Sequence, residues 1–131
     1  MRILQNSFPY PSEKHLKRID HMNVKELQEA LGLSYLCCES QAADKIIDGC
    51  YCGDLLSWVM SRAEEGNVWL TVMGNVNSIG VAVLAELSCI ILTENAPLDD
   101  DAKKRAEENG VVVLTTAENA YETAARIAKL I

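Results

Sequence analysis

The chain has 131 residues, of which 49% are hydrophobic and 24% charged, with a formal net charge of −7. That length suits one domain able to bury a core without disulfides or a structural metal. The acidic balance argues against nucleic acid as a partner, because phosphate binding needs clustered Lys and Arg.

Residues 1–21 stand apart from the rest. They hold two of the three prolines and both histidines, show no sustained period, and read as a flexible N-terminal extension to a domain over 22–131. Met22 directly precedes the first regular element, so the true start of the product is also read there. No charged segment followed by an apolar run marks a signal peptide. His15 and His21 have no companion at ligand spacing and are expected in solvent.

Asn23, with Glu26 three residues on, predicts a capping box, and Val24, Leu27, Ala30 and Leu31 share one helical face. Gly32 ends that helix. Residues 33–38 read as a strand. Residues 45–52 read as a second, with Ile46, Cys50 and Cys52 on one face and Ile47 and Tyr51 on the other. Asp54 is expected to cap a helix whose stripe is Leu55, Leu56, Val59, Met60 and Ala63. Trp58 and Trp69 fall in apolar patterns and are expected in the core.

Residues 68–72 form the next predicted strand, Met73-Gly74-Asn75 a loop, and Asn77 the cap of a helix with small residues at Gly80, Ala82 and Ala85. Residues 89–93 are almost continuously apolar, as in a strand buried on both faces. The run Asp99-Asp100-Asp101 suits the positive end of a helix dipole, and Asn109-Gly110 closes that helix. A strand over 111–114 and a helix over about 117–130 complete the chain. This alternation predicts an α/β protein, a three-layer α/β/α arrangement around a mostly parallel sheet of about five strands. The longest apolar stretch, 79–92, is broken by Glu86 and is too short for a bilayer, so a cytoplasmic protein without a membrane partner is expected.

In such a sheet, ligands bind beyond the carboxyl ends of the strands. The loops at 71–77, 93–97 and 115–118 should gather there, offering Gly74, Asn75, Asn77, Thr93 and Thr115 to a small polar, anionic or nucleotide-like ligand. The competing reading makes Asn77 and Thr116 helix caps and Gly74 a turn. Cys37, Cys38, Cys50 and Cys52 lie within sixteen residues, enough thiols for a metal or a redox centre. They lack C-x-x-C spacing, however, and neighbours on a strand face opposite ways. No metal-ligand set is assigned, and no motif names a cofactor. G-x-x-x-x-G-K-[ST] and G-x-S-x-G are both absent, and no His, Lys or second carboxylate adjoins Asp54, so no catalytic constellation is legible.

The segment Asp44-Lys45-Ile46-Ile47-Asp48-Gly49-Cys50-Tyr51-Cys52-Gly53-Asp54-Leu55-Leu56 resembles the signature of the DRTGG-domain family. Asp44, Gly49, Tyr51 and the run Gly53-Asp54-Leu55-Leu56 agree with it. Lys45 stands where Arg is usual, Asp48 where Thr is usual, and Cys50 replaces the second Gly. The resemblance extends over about residues 23–131. It implies a regulatory and oligomerising domain with no catalysis of its own, as in HPr kinase/phosphorylase, some phosphotransacetylases and CBS-domain pyrophosphatases. Asp44, Lys45, Gly49, Gly53 and Asp54 are then the motif residues.

The leading expectation is a non-enzymatic homodimeric regulatory domain that binds a small polar or anionic ligand. Its rivals are a metal or redox protein using Cys37, Cys38, Cys50 and Cys52, and an interaction module docking to a hydrogenase or signalling kinase.

Overall fold

The computed structural model describes residues 21–131. The elements in chain order are α1 (Val24–Leu31), β1 (Ser34–Cys37), a 3-10 turn (Glu39–Asp44), β2 (Cys50–Cys52), α2 (Leu56–Arg62), β3 (Val68–Thr71), α3 (Val76–Leu84), β4 (Cys89–Leu92), α4 (Asp100–Asn109), β5 (Val113–Thr115) and α5 (Ala120–Ala128). Five strands form one sheet in the order β1-β5-β4-β3-β2. The four strands from β2 to β5 are parallel, while β1 runs antiparallel to β5 at one edge. The sheet is therefore mixed rather than wholly parallel, and the α/β class stands.

Strand alternation explains the layers. Val68 and Leu70, Cys89 and Ile91, and Val112 and Leu114 face α1 and α5, where Leu27, Leu31 and Ile127 meet them. Trp69, Ile90, Leu92 and Val113 face the other way, against Val59 of α2, Ile79 and Ala82 of α3, and Ala102 and Ala106 of α4. Strands β2 to β5 are added in one direction, and crossovers of a single hand then place α2, α3 and α4 on one face. The two ends of the domain, α1 and α5, cover the other.

Caps follow the chemistry of the chain at both ends. Asn23 and Glu26 form the capping box of α1, and Asn119 and Glu122 form a second one at α5. Gly32 and Gly110 end α1 and α4 in the left-handed conformation. The expected strand over 45–52 is shorter, because its first half pairs elsewhere. Val24 N donates to Lys45 O at 2.9 Å and Ile47 N to Met22 O at 2.9 Å. The chain then turns at Gly49, where φ is +87° and a Cβ would press on the Asn67 amide at 2.8 Å. Residues 1–20, most of the expected extension and His15 with it, lie outside the described residues. His21 is half-buried rather than solvent-exposed, and its Nδ1 is buried with no hydrogen-bond partner among the described residues. No helix among the described residues is long and apolar enough to cross a membrane.

Candidate functional site

The signature residues divide between the two ends of the sheet. Asp44 ends the 3-10 turn and Lys45 follows as its C-cap. Both line a cleft of about 420 Å³ with Ile46, Glu65, Glu86 and Ser88, at the amino ends of the strands. Three carboxylates there face one ammonium. Gly49 makes the turn into β2, and Val68 N donates to its carbonyl at 3.0 Å.

Gly53 and Asp54 lie at the opposite, carboxyl edge, where they tie β2 to β3. Trp69 Nε1 donates to Gly53 O at 2.8 Å, and Gly53 N to Leu70 O at 3.2 Å. Asp54 is not a helix cap: the N-cap position of α2 is Leu55, which offers no side-chain bond. Instead its Oδ1 accepts from Thr71 Oγ1 at 2.7 Å and from Val72 N at 3.0 Å, and Thr71 Oγ1 in turn accepts from Met73 N at 3.2 Å. The carboxylate thus occupies donors that a ligand anion would seek at the tip of β3.

The three expected loops do gather at this edge, and they are stitched to one another. Asp99 N donates to Gly74 O at 2.8 Å, Glu94 N to Glu118 O at 2.9 Å, and Asn95 N to Thr116 O at 2.9 Å. Gly74 is needed for close approach: an added Cβ would collide with the Pro97 carbonyl and lie 3.1 Å from Leu98 Cα. Asn75, not Asn77, caps α3, accepting from Ser78 N at 3.0 Å, and Asn77 lies exposed within the first turn. Thr93 is 1% exposed, so its hydroxyl is not presented to solvent. Thr116 is not a helix cap either; its Oγ1 accepts from Glu118 N at 3.2 Å inside the loop before Asn119.

An opening lies at this edge among the described residues. The chain leaves β4 toward α4 on one face and leaves β5 toward α5 on the other. Loops that part in this way leave a crevice between adjacent strands, the usual ligand position in open α/β sheets. A cleft of about 330 Å³ lies there, lined by Leu36, residues 95–98, Asp100, Lys103 and Thr115. Glu94 and Asn95 both adopt left-handed backbone, with φ of 57° and 54°. That conformation is costly for residues other than glycine and is held here by the bonds to the β5–α5 loop. Of the expected ligand residues, Thr115 alone lines this cleft. Lys103 and Asn95 were not singled out from the sequence; a lysine one turn into a helix that opens with three aspartates was the available signal.

The four clustered cysteines do not form one centre. Cys37 lies on β1 and Cys50 and Cys52 on β2, the two opposite edges of the sheet. Cys37 and Cys38 point their thiols at backbone carbonyls, Val111 O at 3.5 Å and Ala106 O at 3.4 Å. Burial pushes the Cys37 thiol up to about 12. At the other edge, the neighbouring Cys50 thiol lowers the Cys52 thiol, while Cys52 and burial together raise Cys50. Cys52 is therefore the more readily ionised thiol of the two. Among the described residues, no group of three or more His, Cys, Asp or Glu side chains could hold a metal ion.

Trp69 is fully buried, as expected, but Trp58 is 54% exposed, with the Arg62 guanidinium 3.9 Å from its ring centroid. Leu55, one turn before it, is 59% exposed, and Val72, whose N–H bonds to the neighbouring Asp54, is 39% exposed. Of α2, only Val59 is buried.

The family model for the DRTGG domain matches residues 26–130. The chain belongs to the DRTGG domain family. No curated protein sequence matches it significantly. Among solved structures, this DRTGG domain is similar to the CBS and DRTGG domains of the regulatory region of Clostridium perfringens pyrophosphatase, with a TM-score of 0.64 and 11% identity. The match covers 88% of this chain and 53% of that one, so the chain spans about half the length of that regulatory region. At that identity the likeness bears on the fold. It agrees with a DRTGG domain built as a five-stranded sheet with helices on both faces.

Proposed function

We propose that this DRTGG domain is a non-catalytic regulatory module that binds a small polar or anionic ligand in the cleft between the β4–α4 and β5–α5 loops. The observation that carries this reading is the parting of those two loops to opposite faces of the sheet. It leaves Lys103, Asn95 and Thr115 around one opening, with an ammonium, an amide and a hydroxyl. Asp100 beside Lys103 favours a ligand that offers donors as well as negative charge. The pyrophosphatase regulatory region was solved with its activator, diadenosine tetraphosphate, which supports a nucleotide-like ligand class here. The larger cleft at Asp44 and Lys45 is less suited, because its excess of carboxylates repels anions.

A thermal-shift screen of nucleotides and phosphorylated metabolites tests this reading. A ligand at a hundred times its Kd stabilises the fold by about 2.7 kcal/mol. Lys103→Glu should weaken a hit about tenfold or more, the worth of one charge-assisted hydrogen bond, while the melting temperature of the free protein stays the same. Unchanged affinity removes the cleft from consideration, and a screen without hits counts against ligand binding.

We further propose that the domain is a homodimer in the cytoplasm, a compartment in which its five cysteines stay reduced. The support for dimerisation is the exposure of Leu55 and Trp58, one turn apart on the chain, with exposed Val72 bonded to Asp54 beside them, since exposed apolar patches mark association surfaces. Light scattering should find a dimer that Trp58→Glu shifts to monomer, with little effect on folding because the side chain is exposed. A monomeric wild type would instead favour docking of this face to a different protein.

A further inference from the structure

We infer that Cys50 and Cys52 form a two-thiolate site for a soft monovalent metal ion, with Cu(I) as its representative. The two residues alternate with Tyr51 on β2, so their side chains leave the same face of the strand. Strand β2 is the edge of the sheet, paired with β3 alone. Cys50 is half-buried against the layer containing Ile127, whereas Cys52 is exposed at the strand's end. The pair therefore has one anchored and one accessible sulfur.

The spacing selects the chemistry. Residues two apart on a strand are separated by about 6.6 Å. A disulfide usually has its Cα atoms within about 6.8 Å and its Cβ atoms within about 4.5 Å, so this spacing lies at the far limit for one. Two thiolates on opposite sides of one metal ion stand roughly 4–5 Å apart, about twice a metal–thiolate bond of the zinc kind. Alternate side chains stand on one face of a strand and lean along it, which lets two thiols converge on one ion. Zinc would need four donors, and no third His, Cys, Asp or Glu joins these two among the described residues. Thiolates select Cu(I) among the remaining ions. Binding breaks two S–H bonds, releases two protons to water and forms two S–metal bonds, with no change in oxidation state.

The test is an anaerobic titration of the reduced full chain with Cu(I), buffered by a coloured chelator and followed by native mass spectrometry. One ion per chain is expected. Cys50→Ser and Cys52→Ser should each weaken retention about 100-fold or more, because a chelate becomes a single ligand. Cys37→Ser and Cys38→Ser should retain it. X-ray absorption should show two sulfur donors. No retained ion, one ion per two chains, or binding that survives Cys52→Ser overturns the site. Cys52 is exposed, so that variant decides the matter even where Cys50→Ser disturbs the fold.

Discussion

Gly74→Ala should lower the melting temperature by about 10 °C or more, measured by calorimetry or circular dichroism. The methyl group would enter the space held by the Pro97 carbonyl and Leu98 Cα, both of them backbone atoms. A flexible side chain there could rotate away, but backbone tied by the Asp99 N to Gly74 O bond cannot. Overpacking of this kind sits at the upper end of the usual range, about 3 kcal/mol, and a domain of this size loses roughly 4 °C for each kcal/mol. Because the collision lies between the β3–α3 and β4–α4 loops, the change should also distort the cleft beside residues 95–98. A melting temperature within 2 °C of wild type (roughly half a kcal/mol) would mean that the two loops are not in contact.

Asp54→Ala should destabilise the fold by about 2 kcal/mol, roughly 8 °C, because Thr71 Oγ1 and Val72 N both lose a charged acceptor. The substitution pattern distinguishes the two possible roles of this residue. A helix cap is replaced well by Ser, whereas a link from β2 to β3 needs the reach of a carboxylate. Asp54→Ser should therefore be nearly as damaging as Asp54→Ala. A double-mutant cycle with Thr71→Val should show coupling of about 1 kcal/mol, and independence of the two changes would remove the link.

Asp54 also shows why some local readings failed while the fold did not. Asp before an amphipathic stretch is a cap by every local criterion, yet its side chain is drawn to unpaired donors at the end of a strand seventeen residues away. The same competition moved the cap of α3 from Asn77 to Asn75, where the backbone is extended and Ser78 N is within reach. Trp58 reads as core from its apolar neighbours. It is exposed because α2 has two turns, of which only Val59 is buried and Leu56 packs at the margin of the core.

The amino-acid order by itself determined the alternation of strands and helices, the buried runs of β4 and β5, the caps at Asn23 and the stops at Gly32 and Gly110. Those features depend on side-chain periodicity and on bonds between residues three or four apart, so a linear string carries them. Strand order, and with it the position and most of the lining of the candidate site, belongs to the tertiary structure. It placed Cys37 and Cys50 on opposite edges, buried Thr93, brought Gly74 against Pro97 and opened the cleft beside Lys103. Each of these is a contact between segments brought together only when the sheet closes, and local patterning holds no record of which strand lies next to which.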